Sequence, residues 1–192
     1  MPKFTTDNSK ETQTEKIFWG RIPVVQAHSF LRFSKKNLTQ KVIHKFKYKN
    51  RQAIGEILGR FYGSHLKGRF FNSVDVIIPV PLHPIKLEKR GFNQSEFFAM
   101  GLARALNKPI ITEALSRRIH STTQTRKRRY ERWKNVEEIF KLNDPEAVRG
   151  KHILLVDDIV TTGATLEAAS IVLQKAGDVK ISIATLAITE DA

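Results

Sequence analysis

Residues 153–165 read Ile153-Leu-Leu-Val-Asp-Asp-Ile-Val-Thr-Thr-Gly-Ala-Thr165. The four apolar residues at the start are typical of a short strand that is buried on both faces, and two adjacent carboxylates, Asp157 and Asp158, follow them directly. From Leu166 to Ala176 the apolar residues recur with helical spacing, and Gly177 supplies a stop signal. These residues therefore predict a strand that ends at two acids, then a loop, then a helix.

The predicted loop, Thr161 to Thr165, has the features of a phosphate-binding turn. The first turn of a helix carries backbone N–H groups without intrahelical partners and the positive end of the helix dipole, so an anion is stabilised there. Gly163 allows close approach, and the three threonine hydroxyls can hydrogen-bond to phosphate oxygens. A simpler interpretation is that Thr161 or Thr162 caps the helix and the acids are solvated turn residues. The pattern is not a Walker A loop or a Rossmann fingerprint, because the glycine spacing and the lysine of those motifs are missing.

The composition predicts one cytoplasmic domain with an appendage. A chain of 192 residues is long enough to bury a substantial core. No apolar run approaches the ~20 residues that a membrane-spanning helix needs, and the polar N-terminus lacks the apolar core of a signal peptide. We therefore expect no membrane insertion. The sequence contains no cysteine, which excludes disulfides and thiolate zinc sites, and its six histidines show no ligand-like spacing.

The formal net charge of +14 predicts anionic partners such as nucleotides, pyrophosphate or nucleic acid. Residues 35–51 hold seven basic residues and no acid, and residues 112–135 hold eight basic residues against two acids. In the second segment, bases and aromatic rings are interleaved at Arg126, Lys127, Arg128, Arg129, Tyr130, Arg132 and Trp133. This segment either binds single-stranded DNA, with its rings stacked on bases, or forms a solvated face.

Strand and helix patterns alternate along the rest of the chain. The predicted elements are one or two short strands within residues 24–33, helical spacing from 37 to 62, a strand at 74–80, a proline- and base-rich loop at 79–94, a helix at 95–106 capped by Asn93 or Ser95, and strands at 109–112, 136–142 and 180–188. Such alternation predicts an α/β fold with right-handed parallel units, whose ligands bind beyond the carboxyl ends of the strands.

Residues 153–165 resemble the phosphoribosyl pyrophosphate (PRPP) motif of type I phosphoribosyltransferases at every position. A wider pattern, from about Trp19 to the C-terminus, resembles the ComF/GntX family. Its motifs occur in the family's order: Asp75-Val-Ile-Ile-Pro-Val-Pro-Leu-His-Pro84, Lys89-Arg-Gly-Phe-Asn-Gln-Ser95, Gln124 with Arg132, Asn135-Val136, and residues 153–165. The best-known members begin with a four-cysteine zinc ribbon, so this cysteine-free sequence departs from them and no zinc is expected.

The resemblance implies a type I phosphoribosyltransferase fold, with a central parallel sheet, helices on both sides and a small N-terminal hood. We accordingly expect a polar, disordered N-terminus at residues 1–16, the hood at 17–70 and the phosphoribosyltransferase core at 71–192. Some members of the family act in the cytoplasm on the uptake of single-stranded DNA during natural competence. Single-stranded DNA and proteins of the uptake machinery are therefore expected partners.

The resemblance also implies roles for individual residues. Asp157 and Asp158 would bind the ribose hydroxyls, act in catalysis and hold Mg²⁺ indirectly, while Thr161, Thr162, Gly163, Ala164 and Thr165 would cradle the 5′-phosphate. Pyrophosphate would lie against Pro81, Leu82, His83, Lys89 and Arg90, with Lys86 nearby, and Arg90 would neutralise the leaving group. In type I enzymes a mobile loop folds over PRPP, and Arg126 to Lys134 is the candidate here.

Three functions remain open from the sequence. The first is a phosphoribosyltransferase that uses Mg²⁺ and PRPP and acts on a nitrogenous acceptor. The second is an accessory protein that binds PRPP or a nucleotide without turnover, and the third is direct binding of single-stranded DNA. A PRPP-sensing transcription regulator is disfavoured, because no helix-turn-helix pattern precedes residue 70.

Overall fold

The computed structural model of the chain describes residues 12–33, 52–118 and 139–189. Its helices and strands follow in this order: α1 (Gln13–Lys16), β1 (Ala27–Phe33), α2 (Gln52–Leu66), β2 (Val76–Pro79), α3 (Pro84–Arg90), α4 (Gln94–Leu106), β3 (Leu115–Arg117), β4 (Phe140–Leu142), β5 (His152–Val160), α5 (Ala164–Gln174) and β6 (Lys180–Thr189). None of the helices in these three ranges combines the length and the apolar character that crossing a bilayer requires.

A parallel sheet of four strands, in the order β1-β6-β5-β2, forms the centre of the molecule. β5 lies inside the sheet, where Ile153 pairs with Val76 of β2 and with Ile181 of β6. Beyond β2, the predicted strand at 109–112 is reduced to one parallel bridge between Ile110 and Ile77. The predicted α/β architecture with a parallel sheet and flanking helices is confirmed.

Apolar clusters cover both faces of this sheet, which explains the continuous apolar run of β5. Successive side chains of a strand point to opposite faces, so Ile153 and Leu155 join one cluster while Leu154 and Val156 join the other. All four side chains are fully buried, and each contributes roughly 1.5–3 kcal/mol through burial. Helix α5 packs within the first cluster, and α2 and α4 pack within the second.

Helices α2 and α4 pack backbone against backbone at Gly59 and Gly101. A Cβ atom added to Gly101 would lie 2.2 Å from the carbonyl oxygen of Glu56, and one added to Gly59 would lie 2.2 Å from the carbonyl oxygen of Phe98. A side chain at either position forces the helices apart. Together the two helices cover one face of the central sheet, where they share an apolar cluster with β5.

Gly101→Ala is therefore expected to lower the free energy of unfolding by about 2 kcal/mol. Overpacking against rigid backbone costs roughly 3 kcal/mol, whereas the better helix propensity of alanine returns only about 1 kcal/mol. Urea denaturation measures the difference, with Arg60→Ala on the exposed face of α2 as the control. An unchanged unfolding midpoint for Gly101→Ala would show that the helices separate without cost.

A second, antiparallel sheet consists of β3 and β4, with Leu115 opposite Leu142 and Arg117 opposite Phe140. The sequence placed Arg117 in a polar basic stretch, but the residue belongs to a strand. The strand predicted at 136–142 is seen at Phe140–Leu142, and its first residues lie outside the described ranges. The backbone N–H of Arg118 donates to the carbonyl of Ile139, so the two ends of the segment between them are held together.

The N-terminal part of the described chain packs against the central sheet. At the end of the predicted disordered segment, Gln13–Lys16 instead form helix α1, with a capping box at Thr12 and Glu15. Thr14 is buried, and its hydroxyl lies 2.8 Å from the hydroxyl of Ser29. Strand β1, which the sequence assigned to the hood, is an edge strand of the central sheet. The boundary near residue 70 stays a prediction, but β1 shares its sheet with the predicted core.

Candidate functional site

The candidate site lies at the carboxyl end of β5. The strand continues through the two acids to Val160, because β6 keeps pairing with it: Asp157 lies opposite Thr185, and Val160 lies opposite Ile188. The prediction that the strand ends at the acids was wrong. Both carboxylates therefore belong to a strand of the central sheet, which fixes their positions more firmly than a turn would.

The end of β5 and the residues after it border a small pocket, whose volume is about 220 Å³ when the space open to solvent is included. It is lined by Asp157, Ile159, Val160, Thr161, Thr162, Gly163, Ala164, Thr165 and Leu166. The structure thus brings Asp157 and the five predicted phosphate-binding residues together. Asp158 is not part of this lining.

Helix α5 begins at this pocket without a side-chain cap. Its N-cap is Gly163, and no side chain in the described part of the chain accepts a capping hydrogen bond from the first turn. The alternative that Thr161 or Thr162 caps the helix is therefore wrong. The hydroxyls of Thr161, Thr162 and Thr165 form no hydrogen bond with any residue in the described ranges. The unpaired N–H groups and the hydroxyls are thus free to bind an anion.

Gly163 is fixed by its conformation and by its neighbours. Its φ of 76° lies in the left-handed region that favours glycine. A Cβ atom at this position would lie 2.6 Å from Cγ2 of Ile17 and 3.0 Å from Cε1 of Phe18. The segment after α1 therefore packs directly against the turn that the sequence predicts to bind phosphate.

The two acids are held by short hydrogen bonds. One oxygen of Asp157, Oδ1, accepts from the hydroxyl of Ser95 at 2.8 Å and from the backbone N–H of Asp158 at 2.8 Å. Oδ1 of Asp158 accepts from the backbone N–H of Ile159 at 2.7 Å. Each carboxylate thus has one oxygen fixed by the protein, which orients the side chain.

Burial and, to a lesser extent, the negative charge of Asp158 raise the pKa of Asp157 to about 7. The Ser95 hydroxyl, the Asp158 N–H and the positive charge of Arg117 oppose this shift. Burial lowers the pKa of the Arg117 guanidinium, and the attraction of Asp157 raises it. Asp157 consequently carries a proton in part of the molecules near neutral pH.

The predicted pyrophosphate loop is largely helical, because α3 occupies residues 84–90. His83 does not face a ligand through Nδ1, since this atom accepts from the N–H of Ile85 at 3.3 Å and caps α3. Pro81 and Leu82 form the turn before the helix, and Lys86 and Lys89 are exposed. None of the residues of α3 is buried.

Arg90, at the end of α3, is connected to the acids by side chains of the next helix. Its Nη1 donates to Oε1 of Gln94, and the neighbouring Ser95 donates to Asp157. Asn93 caps α4 and also donates to the carbonyl of Val80 at 3.0 Å. The N–H of Val80 donates to the carbonyl of Val156. The segment between β2 and α3 therefore begins beside β5, the strand that carries the acids.

Sequence reasoning missed the roles of Ser95 and Arg117 at this site. Ser95 was expected only as a possible cap, and Arg117 only as one base among many. The hydrogen bond from Ser95 and the electrostatic attraction of Arg117 both reach Asp157 from residues that are far away in the chain. For Ser95, the sequence offered only the expectation that β2 and β5 end at the same edge of the sheet. The predicted loop over the site, 126–134, lies outside the described residues.

The described residues of the site are suited to Mg²⁺ only when a bound ligand supplies some of the metal's ligands. Within the described ranges no group of three or more histidine, aspartate or glutamate side chains is placed to hold a metal. Two adjacent carboxylates suit an ion that keeps several waters and takes its remaining ligands from phosphates. The residues thus fit indirect Mg²⁺ binding.

Comparison with known proteins agrees with this geometry. The phosphoribosyl transferase domain family matches residues 92–191. "Competence protein F" of Haemophilus influenzae is 30% identical over 151 residues, which cover 76% of this chain and 66% of the relative. "DNA utilization protein YhgH" of Escherichia coli O157:H7 is 32% identical over 146 residues, which cover 74% of this chain and 63% of the relative. The chain thus spans slightly less than two thirds of the length of these relatives.

Among solved structures, "Structure of the allosteric regulatory enzyme of purine biosynthesis" aligns with 73% of this chain and 30% of its own at a TM-score of 0.49 and 21% identity. The domain match and the competence-named relatives confirm the expected ComF-like resemblance and the type I phosphoribosyltransferase fold. The chain belongs to the phosphoribosyl transferase domain family.

Proposed function

We propose that this protein binds PRPP at the carboxyl end of β5 and transfers its phosphoribosyl group to a nitrogenous acceptor. One observation carries the proposal: two oriented carboxylates are followed, along the same strand and turn, by an uncapped helix start. A ribose 5-phosphate presents complementary groups, with hydroxyls at C2 and C3 and a doubly charged phosphate at C5. Membership of the phosphoribosyl transferase domain family supports this choice of ligand.

In this proposal, the carboxylates of Asp157 and Asp158 accept hydrogen bonds from the ribose hydroxyls. The backbone N–H groups and hydroxyls of residues 161–165 bind the 5′-phosphate. Arg90, with Lys86 and Lys89, binds pyrophosphate and stabilises the charge that develops on this leaving group. Mg²⁺, when bound with PRPP beside the two acids, would supply further neutralisation of that charge.

The reaction requires no protein nucleophile. The acceptor nitrogen attacks C1 of the ribose as pyrophosphate departs, so the protein contributes by positioning the reactants and by electrostatic stabilisation. The bonds from Arg90 to Gln94 and from Ser95 to Asp157 support this role, because they hold the pyrophosphate side and the ribose side at a fixed relative position. Arg126 to Lys134 is the proposed loop that closes over PRPP and excludes water.

We further propose a cytoplasmic role in DNA uptake. This is supported by relatives named "Competence protein F" and "DNA utilization protein YhgH" and by the net charge of +14. The partners would be single-stranded DNA or proteins of the uptake machinery. In a variant of this proposal the protein binds PRPP without turnover and acts through those partners.

The double variant Asp157→Asn/Asp158→Asn is expected to bind PRPP at least ~10-fold more weakly than the wild type, because two charge-assisted acceptors for the ribose hydroxyls are lost. Calorimetric titration of PRPP with Mg²⁺ into both proteins measures the change. The matched control is Glu113→Gln/Asp178→Asn, which removes two exposed carboxylates away from the pocket.

Equal PRPP affinity in the wild type and the Asp157/Asp158 variant would refute the site assignment. Turnover is tested separately by measuring pyrophosphate release from PRPP across a panel of bases and amines. Release with one acceptor supports the transferase, whereas tight PRPP binding with no release across the panel supports the non-catalytic variant.

A further inference from the structure

The side chain of Arg21 joins the N-terminal segment to the phosphate-binding turn. Its Nη1 donates to the carbonyl of Ile17 at 3.1 Å and to the carbonyl of Thr162 at 2.5 Å. Its Nη2 donates to Oε2 of Glu167 in the first turn of α5. One guanidinium thus contacts the segment after α1, the turn and the helix that follows it.

The bond to Thr162 determines how the turn presents its donors. In a trans peptide the carbonyl of one residue and the N–H of the next point in opposite directions, and the described residues contain no cis peptide. Because Arg21 holds the Thr162 carbonyl, the N–H of Gly163 points away from Arg21. A rotated peptide would instead present the Thr162 carbonyl to an incoming phosphate and repel it.

The ion pair with Glu167 neutralises a negative charge beside the proposed phosphate site. This carboxylate lies in the first turn of α5, beside the N–H groups that the proposed phosphate would use. An acid there suits the helix dipole but repels a bound anion. The Arg21–Glu167 ion pair, with about a quarter of each side chain exposed, neutralises the carboxylate while the phosphate site stays open.

We propose that Arg21 is a positioning residue for the 5′-phosphate: it holds the Thr162–Gly163 peptide in the binding orientation and neutralises Glu167. Arg21 itself does not contact the ligand. This inference rests on the proposed function and deepens it, since it explains how the turn discriminates in favour of a ribose that carries a phosphate at C5.

The test compares two fragments of PRPP. Arg21→Met is expected to weaken the binding of ribose 5-phosphate about 10-fold, because a charge-assisted hydrogen bond is lost and Glu167 is left unpaired. Binding of pyrophosphate with Mg²⁺ should change less than about twofold, since its proposed contacts lie on α3. Glu167→Gln alone should preserve ribose 5-phosphate binding, and Arg21→Met/Glu167→Gln should recover part of the loss because the repulsive charge is gone.

Arg104→Met is the matched control, because Arg104 also pairs with a glutamate of another element, Glu56, but away from the pocket. If Arg21→Met binds ribose 5-phosphate with wild-type affinity, the role of Arg21 is refuted but the proposed function is not. The same conclusion follows if Arg21→Met loses equal affinity for ribose 5-phosphate and for pyrophosphate. If the wild type binds neither fragment, the proposed function itself fails. Thermal denaturation shows whether each variant is folded. If Arg21→Met does not fold, the same comparison is made with Arg21→Lys, because a lysine cannot make all three contacts.

Discussion

Asp157→Asn is expected to stabilise the unliganded protein by about 2–4 kcal/mol at pH 8, because a pKa shift of one unit corresponds to about 1.4 kcal/mol. Burial and the charge of Asp158 raise the pKa of Asp157 to about 7. Asparagine keeps an oxygen that accepts from Ser95 and from the N–H of Asp158. It also places an NH₂ group, in place of a negative charge, near the Asp158 carboxylate.

The pH dependence identifies the cause. The unfolded chain releases the Asp157 proton near pH 4, whereas the folded protein keeps it until about pH 7. Between these values the folded state binds more protons, so the stability of the wild type falls as the pH rises. Asparagine does not titrate, so the two proteins should be nearly equal in stability at pH 4 and should diverge towards pH 8.

Urea denaturation at pH 4, 6 and 8, without Mg²⁺ or ligand, measures this divergence. Glu113→Gln is the control, because it removes one negative charge from an exposed position. A stability difference for Asp157→Asn that does not vary with pH would contradict a raised pKa. The same substitution should weaken PRPP binding, so Asp157 would be a residue at which stability is sacrificed for ligand binding.

The fold could be predicted from the sequence because its central strand carries an unambiguous local signal. A continuous apolar run is needed where both faces of a strand are covered, and Ile153 to Val156 satisfies this need. The end of the strand could not be predicted, since Asp157 and Asp158 look like a terminus. What extends β5 to Val160 is the continued pairing with β6, a neighbour that the local sequence does not reveal.

Other errors have local causes. Pro84 at the first position of α3 and Gly91 just after its end are helix boundary signals, but seven residues with no buried side chain show no apolar periodicity. The start of α5 was ambiguous because threonines are good caps, and only the structure places Gly163 at the N-cap. Ser95, Arg117 and Arg21 act across long sequence separations, where composition and spacing carry no information.

Gly163→Ala is expected to have the other large effect, a loss of about 3–4 kcal/mol in the free energy of unfolding together with weaker binding of ribose 5-phosphate. The left-handed φ of 76° costs a non-glycine residue roughly 1–2 kcal/mol. The contact of the new methyl group with Ile17 adds roughly 1–3 kcal/mol, because overpacked side chains must leave their preferred rotamers.

Two comparison variants separate these contributions. Gly150 also has a left-handed φ, of 67°, but an added Cβ atom would meet none of the described residues within 4 Å. Gly150→Ala should therefore show the conformational cost alone. Ile17→Ala removes the Cγ2 atom that the new methyl group would strike. The double variant Ile17→Ala/Gly163→Ala should therefore be at least about 1 kcal/mol more stable than the sum of the two single changes predicts.

Urea denaturation of the four variants and calorimetry with ribose 5-phosphate complete the comparison. If the contact with Ile17 sets the position of the turn, the double variant recovers stability and part of its affinity for ribose 5-phosphate. If Gly163→Ala costs no more than Gly150→Ala, the contact with Ile17 is irrelevant and only the φ angle requires glycine. Recovery of both quantities would mean that the segment after α1 positions the phosphate-binding turn, which is the condition under which Arg21 can act on it.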